Sequence, residues 1–267
     1  MNRIIIEDDK IIECLIDNNI KIDYNIDNSF IKINQLLIEF IGSTDLEIHY
    51  NFSNEIKINV TINCISNIDV KIFEKYKNGI LKVQNTYNLN NNSNINIQKF
   101  YDVNSIRQFD IINLNNTGAN AHYVLKTISS GLEKYNLVVN HNFPNTISNM
   151  VNNAINIDDG EVFFDINGVI PKGMTNCTLN QNNRIVTFNE KKCQINPNLL
   201  IDENDVCANH SAFVGKFNDD DVFYLQSRGI NYNDTLKLLA KGFLMSNLTL
   251  NDNLKEEIEN IINKYWR

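Results

Sequence analysis

Four histidines and five cysteines supply the residue types able to ligate iron or zinc, carry sulfur or move a proton. Their spacing limits what they can do. Cys14, Cys64, Cys177, Cys193 and Cys207 are odd in number and form no C-x-x-C pair, so the chain encodes neither a disulfide framework nor a zinc site. Reduced thiols are expected, with the default role of small buried hydrophobes. Cys207 lies three residues from His210, and in an extended strand that spacing turns the two side chains to opposite faces. A shared metal would then need a bulge or a sheet edge. Val206, Ala208, His210, Ala212 and Val214 share one parity, which sets His210 among small apolar neighbours. A thiol that carries persulfide must be ionisable and reachable, and the sequence reveals neither property for Cys177 or Cys193.

His141, in Val139-Asn140-His141-Asn142-Phe143-Pro144, is expected at a corner with its imidazole bonding neighbouring backbone. His49 and His122 sit in no pattern. Asp219-Asp220-Asp221 has the charge of a calcium loop but not its alternating oxygen ligands or distal Glu, and reads as a solvated turn between two strands, the second around residues 222–225. Arg228-Gly229 reads as a corner that delivers the chain into a helix. No nucleotide-binding loop, Ser-His-Asp order or metalloprotease motif occurs, so the chain reads as a non-enzyme. The nearest approach to a glycan site is Asp158, Asp159 and Asp165 with Phe163 or Phe164, the basis of one alternative, a carbohydrate-binding β-solenoid.

The elements that position these residues follow from hydrophobic period. Short apolar runs recur over some two hundred residues, among them Phe30-Ile31-Lys32-Ile33, Leu46-Glu47-Ile48-His49-Tyr50, Ile56-Lys57-Ile58-Asn59-Val60 and Glu161-Val162-Phe163-Phe164-Asp165-Ile166. Tight hairpin dipeptides are few, which suits a coiled parallel stack, a β-solenoid, better than a meander; a large sandwich is the other all-β solution. Gly118, Gly131, Gly160, Gly168 and Gly173 are read as corners, and the Asn-rich stretch 88–94 as a turn or loose loop. Beyond Ile230 the period changes. Leu236, Leu239, Ala240, Phe243 and Leu244 recur at helical spacing with Asn233 or Asp234 as cap, and Leu254, Ile258, Ile261, Ile262 and Tyr265 mark a second helix capped by Asn251 or Asp252. The reading is a β core over 1–230 and a helical segment over 231–267.

Composition sets outer bounds. The chain has 267 residues, 43% of them apolar, which suffices for a sizeable core. With 24 basic and 32 acidic residues its net charge is −8, against a nucleic-acid partner. No apolar run approaches a membrane span or a leader peptide, and a soluble, cytoplasmic protein is expected.

Read in order, Pro197-Asn198-Leu199-Leu200-Ile201-Asp202, Asn204-Asp205-Val206, Asn209-His210-Ser211-Ala212, Val214-Gly215-Lys216 and Phe223-Tyr224-Leu225-Gln226-Ser227-Arg228-Gly229-Ile230 resemble the C-terminal core of the SufB/SufD family of iron–sulfur cluster assembly proteins. The resemblance runs over about residues 118–244 and is densest after Pro197. It implies a right-handed parallel β-helix with a C-terminal helical pair. Ser211 follows His210 where a SufB-type chain carries Glu, and Gln181-Asn182-Asn183-Arg184-Ile185-Val186 holds no cysteine where a SufB-type chain receives sulfur. Gln181, Asn183 and Arg184 instead resemble a SufD-type segment, so the resemblance implies a SufD-like scaffold subunit. Its implied partners are a SufB-like paralogue or a second copy, and a SufC-like ABC ATPase. His210 would face the subunit interface and offer its imidazole to iron of a transient cluster shared with the partner, with none permanently bound. Cys207, Cys177 and Cys193 are secondary candidates. The ATPase would meet the helical segment around Arg228, Asp234, Leu236, Leu239 and Phe243. A self-sufficient homodimeric scaffold using Cys177 or Cys193 is the second alternative. The helical N-terminal domain of longer relatives has no counterpart in this reading.

Overall fold

The computed structural model describes residues 2–8, 10–26 and 33–266; Phe30, Ile31 and Lys32 of one sequence-read strand lie outside them. Two antiparallel pairs open the chain, β1 (Asn2–Glu7) with β2 (Lys10–Leu15) and β3 (Ile20–Ile26) with β4 (Ile33–Phe40). Each later coil then contributes one strand to each of two sheets: β5 (Thr44–Asn51) and β6 (Glu55–Cys64), β7 (Asp69–Lys77) and β8 (Ile80–Leu89), β9 (Asn94–Asp102) and β10 (Ser105–Leu114). The series continues through β11 (Asn120–Ser129) and β12 (Leu132–His141), β13 (Ile147–Asn156) and β14 (Glu161–Ile170), β15 (Cys177–Thr187) and β16 (Gln194–Ile201), and ends at β17 (Val206–Gly215).

Odd strands from β5 onward pair in parallel with their odd neighbours, and even strands with even ones. The sheets therefore run β17-β15-β13-β11-β9-β7-β5-β1-β2 and β16-β14-β12-β10-β8-β6-β4-β3. This is a parallel β-helix. One coil takes 25 residues where Asn113 stacks on Asn88, and 31 where Asn180 stacks on Asn149.

Strand geometry explains which residues fill it. Side chains alternate between faces, so β14 buries every second residue, including Val162, Phe164, Ile166 and Ile170, between the sheets. In β11 the alternation gives way to continuous burial from Tyr123 to Ser129. Both faces are covered there because helices lie on the outside of the odd-strand sheet. An outer stripe of Phe73, Phe100, Ile128, Ile155 and Val186 packs with Ala240, Leu244, Leu254, Ile258 and Ile262. Each fully buried Leu or Ile adds roughly 1.5–3 kcal/mol to that docking.

Asparagine builds the corners. Asn67, Asn92, Gly118, Asn145 and Asn176 occupy successive corners with φ of 60°, 51°, 70°, 57° and 57°, the left-handed region that Asn and Gly tolerate. At Gly118 a Cβ would also lie 2.1 Å from Asn92 Oδ1, so a larger residue there would displace the Asn92 amide. On the outer face Asn140, Asn113, Asn88 and Asn63 pass amide hydrogen bonds down the stack at 2.9, 2.9 and 2.8 Å. The stretch 88–94 is thus an ordered corner, with Asn88 in β8 and Asn94 opening β9. Gly168 is not a corner: it lies within β14, where a Cβ would meet Leu179 Cδ1 at 2.2 Å.

The segment around 222–225 is not a strand. Residues Asp219–Ser227 form helix α1, capped by Asn218, whose side chain accepts from Asp220 N at 3.1 Å. The three aspartates occupy its first turn, where negative charge meets the positive end of the helix dipole; a short apolar run alone does not distinguish strand from helix. Gly229, with φ 87°, turns the chain into α2 (Tyr232–Met245). Its cap is Asn231 rather than Asn233 or Asp234, and Asp234 returns the contact by accepting from Asn231 Nδ2 at 2.6 Å. Helix α3 (Asp252–Tyr265) is capped by Asn251. Helices α2 and α3 are the pair read from the sequence, and α1 adds a helix ahead of them.

Candidate functional site at the terminal coil

Among the described residues the stack ends at β16 and β17, each with a strand partner on one side only. Their other edges present unpaired backbone groups, a template for strand addition. Val206 and Ala208 pack on the core beneath. His210 continues their parity and is exposed, in register with Gln181 of β15, which is 3% exposed and donates through Nε2 to Asn198 O at 3.1 Å. The same strand displays Phe213 and Val214, and β16 displays Leu200, all large apolar side chains in solvent.

The candidate thiols do not gather around His210. Cys207 is exposed on the opposite face of β17, with Asn209 Nδ2 at 3.8 Å from its sulfur. Cys177 is buried under Thr146, whose Oγ1 stands 3.2 Å from Sγ. Cys193 is half-buried, and burial pushes its thiol up despite a 3.1 Å contact from Asn156 Nδ2. Cys64 is buried and pushed up to about 12. No group of three His, Cys, Asp or Glu side chains able to hold a metal occurs among the described residues. At the terminal coil this chain presents the exposed imidazole of His210.

His141 sits at its corner, but its ring bonds hydroxyls rather than backbone: Nδ1 to Thr146 Oγ1 at 2.7 Å and Nε2 to Ser148 Oγ at 2.9 Å. Burial lowers it to about 4, so it is neutral and structural. The glycan constellation disperses. Phe164 lies in the core, Phe163 faces Lys134 and Lys192, and Asp165 accepts from Asn136, Asn167 and Asn198.

On the helices, Arg228 is exposed at the α1 C-cap, its guanidinium 5.2 Å from the Tyr224 ring centroid. Asp234 is exposed and held by Asn231, and Leu236 and Leu239 are half-buried. Phe243 turns toward the sheet, edge-on to Phe217 and over Arg184 at 5.4 Å. Lys126 of β11 lies beneath the end of α2, donating to Phe243 O at 3.3 Å and Ser246 Oγ at 3.1 Å. It supplies positive charge to a helix C-terminus with no basic residue in its last turn, and burial brings it down to about 7. Helix α1 buries none of its residues and exposes Phe223 and Tyr224, while α2 exposes Tyr232 and Leu238. None of the four is among the docking residues read from the sequence, and Phe223 and Tyr224 sit in a segment that reads as a strand.

A buried ionic cluster also has no sequence signature. Lys99 Nζ lies 2.8 Å from Asp110 Oδ2 and 3.2 Å from Glu74 Oε2, all three fully enclosed. Tyr76 and Tyr87 donate to Glu74 at 2.5 and 2.6 Å, and Asn85 and Tyr123 donate to Asp110 at 2.7 and 2.9 Å. Burial raises Asp110 while Lys99 opposes the shift.

The architecture agrees with the comparisons. The family described as SUF system FeS cluster assembly, SufBD core domain, matches residues 53–243, well over half of the chain. The chain belongs to the SufBD core family. Among curated SufBD relatives, the iron–sulfur cluster assembly protein SufD of Bacillus subtilis is 38% identical over 88 residues, 33% of this chain and 20% of that protein. SufD of Escherichia coli is 30% identical over 79 residues, 29% and 19% of the two chains. A SufBD family protein of Mycobacterium leprae is 34% identical over 74 residues, 27% and 19%. The matches span about a fifth of the length of these relatives. As in the sequence reading, no described helix is long and apolar enough to cross a membrane.

Proposed function

We propose that this chain is a non-catalytic, SufD-like scaffold subunit of a SUF-type cluster assembly complex, paired through the terminal coil with a SufB-like subunit. The observation that carries the reading is that coil itself: two strand edges free among the described residues, with Leu200, Phe213, Val214 and His210 all exposed on it. Solvated edges of this kind are closed in soluble proteins by another chain or by charge, and β17 carries no Asp, Glu, Lys or Arg between Val206 and Gly215. The iron–sulfur cluster is cargo. His210 supplies one imidazole to it, and thiolates come from the partner, since Cys207 turns to the opposite face of β17 and Cys64 and Cys177 are buried.

An ABC-type ATPase of the SufC kind docks on α1 and α2, through Phe223, Tyr224, Tyr232 and Leu238 with Arg228 and Asp234 at the rim. Exposed aromatics with a polar surround are the usual anchors of such contacts. Anaerobic co-purification with SufB-like and SufC-like partners tests both surfaces. The expected result is a mixed complex whose iron content falls when His210 is replaced. A chain that remains alone and gains no iron would leave the β-helix without this role.

A further inference from the structure

The outer face of the even-strand sheet carries a line of cations. Lys57 of β6 is in register with Lys82 of β8, Lys82 with Arg107 of β10, and Arg107 with Lys134 of β12. All four are exposed, and their strands lie about 4.8 Å apart, so the line is roughly 14 Å long and runs along the axis of the coil. The next position of the row is Phe163 of β14, whose ring centroid lies 5.3 Å from Lys134 Nζ and 5.7 Å from Lys192 Nζ.

Like charges side by side on adjacent strands repel, and little in the chain offsets them. Glu55 pairs with Lys82 at 2.8 Å, but both side chains are more than half exposed and such a contact contributes little. Among the described residues Lys57, Arg107 and Lys134 have no carboxylate partner. Asp165, on the same face, accepts from Asn136, Asn167 and Asn198 instead.

The opposite sheet shows how this chain treats such a row when it is covered. There His49, Lys75, Phe100 and Lys126 are in register across β5, β7, β9 and β11. Glu257 of the acidic helix α3 ion-pairs with Lys75, and the carbonyl end of α2 receives Lys126. Apolar side chains of the same helices fill the stripe alongside. On the even-strand sheet the cations are flanked by Ile80, two residues before Lys82, and Phe109, two residues after Arg107, and these are 49% and 37% exposed.

We propose that this face docks an acidic amphipathic helix of a partner protein, its carboxylates along Lys57, Lys82, Arg107 and Lys134 and its apolar side chains on Ile80 and Phe109. Carboxylates at i, i+4 and i+7 of a helix lie about 5–6 Å apart along one side, close to the strand spacing. A nucleic acid fits less well. Phe163 is already faced by two ammonium groups rather than free to stack on a base, and a net charge of −8 repels a long polyanion. The surface lies on the sheet opposite α1, α2 and α3 and apart from β16 and β17, so it is independent of both contacts proposed above.

Fluorescence anisotropy of the full chain tests the surface with a labelled synthetic helix carrying Glu at i, i+4, i+7 and i+11 beside Leu. The same peptide with Gln for Glu and a single-stranded oligonucleotide of similar length are the comparisons. The Glu peptide is expected to bind, the Gln peptide about tenfold or more weaker, and affinity to fall as salt rises. The double variant Arg107→Glu, Lys134→Glu is expected to weaken the Glu peptide by about tenfold or more. Should that variant fail to fold, Arg107→Gln, which removes one repulsion from an exposed site, carries the test with a loss of roughly fivefold. Tighter binding of the oligonucleotide than of the Glu peptide would overturn the choice of partner. No binding of the Glu peptide at about 100 μM, equal binding of the Gln peptide, or unchanged binding in the folded variants would overturn the inference itself.

Discussion

Gln181 and His210 are register partners on adjacent strands of one sheet, yet Gln181 is buried beneath the last coil and His210 stands in solvent above it. One strand spacing separates a structural side chain from an available one. The pair defines where the stack stops being core and becomes a surface for another chain.

Their substitution should therefore have opposite signatures. His210→Ala is expected to change unfolding free energy by less than about 0.5 kcal/mol, as for an exposed side chain, while lowering iron in the co-purified complex. Gln181→Ala is expected to cost roughly 1–3 kcal/mol, through its lost bond to Asn198 O and the cavity left behind. Urea unfolding and iron assay of both variants read the two effects separately.

Removing Lys99 should be severe. Lys99→Met leaves Glu74 and Asp110 enclosed without their cation, and a loss of roughly 3–5 kcal/mol is expected. Adding Glu74→Gln and Asp110→Asn to that variant should restore part of the loss. A single variant as stable as the parent in chemical denaturation would show that the cluster is not coupled as drawn.

His141 predicts acid sensitivity. Its folded value, about 4, lies below the ordinary 6.5, so the unfolded chain takes up the proton first. Stability is retained above about 6.5 and lost as pH falls toward 4, on the order of 3 kcal/mol over that window. His141→Gln is expected to flatten this part of the melting-temperature profile, at a fixed cost from the disturbed bonds to Thr146 and Ser148. A profile as steep as the parent's would assign the acid loss to other groups.

Lys126 works in the other direction along the pH axis. Lowered from 10.5 to about 7, it is protonated more readily in the unfolded chain, so stability rises as pH climbs from about 7 to 10.5. Lys126→Met should abolish that rise, so that the stability difference between parent and variant changes across that window. Hydrogen exchange at the end of α2 is expected to quicken in the variant, because the carbonyl of Phe243 loses its donor.

Phe223 tests the ATPase surface. It is 73% exposed on a helix that buries none of its residues, so Phe223→Asp should leave the melting temperature within a degree or so and weaken ATPase binding by about tenfold or more. Unchanged affinity in surface plasmon resonance would remove α1 from the docking surface.

Local chemistry was enough to read much of this protein. Alternating Ile and Val runs determine strands, the shift to Leu236, Leu239, Ala240 and Leu244 determines α2, and three-residue spacing alone sends Cys207 and His210 to opposite faces. These features depend on the backbone period within one element, which neighbouring residues set. Side-chain alternation could not reveal that Gly168 abuts Leu179, that Asn88 and Asn113 form a ladder across coils, or that Lys99 meets Glu74 and Asp110. Each of those joins residues on different strands, some on neighbouring strands and some a full coil apart, and the coil length drifts from 25 to 31. The exposure of His210 is of the same kind: its strand resembles those before it, and only its place as the last in the stack leaves it uncovered.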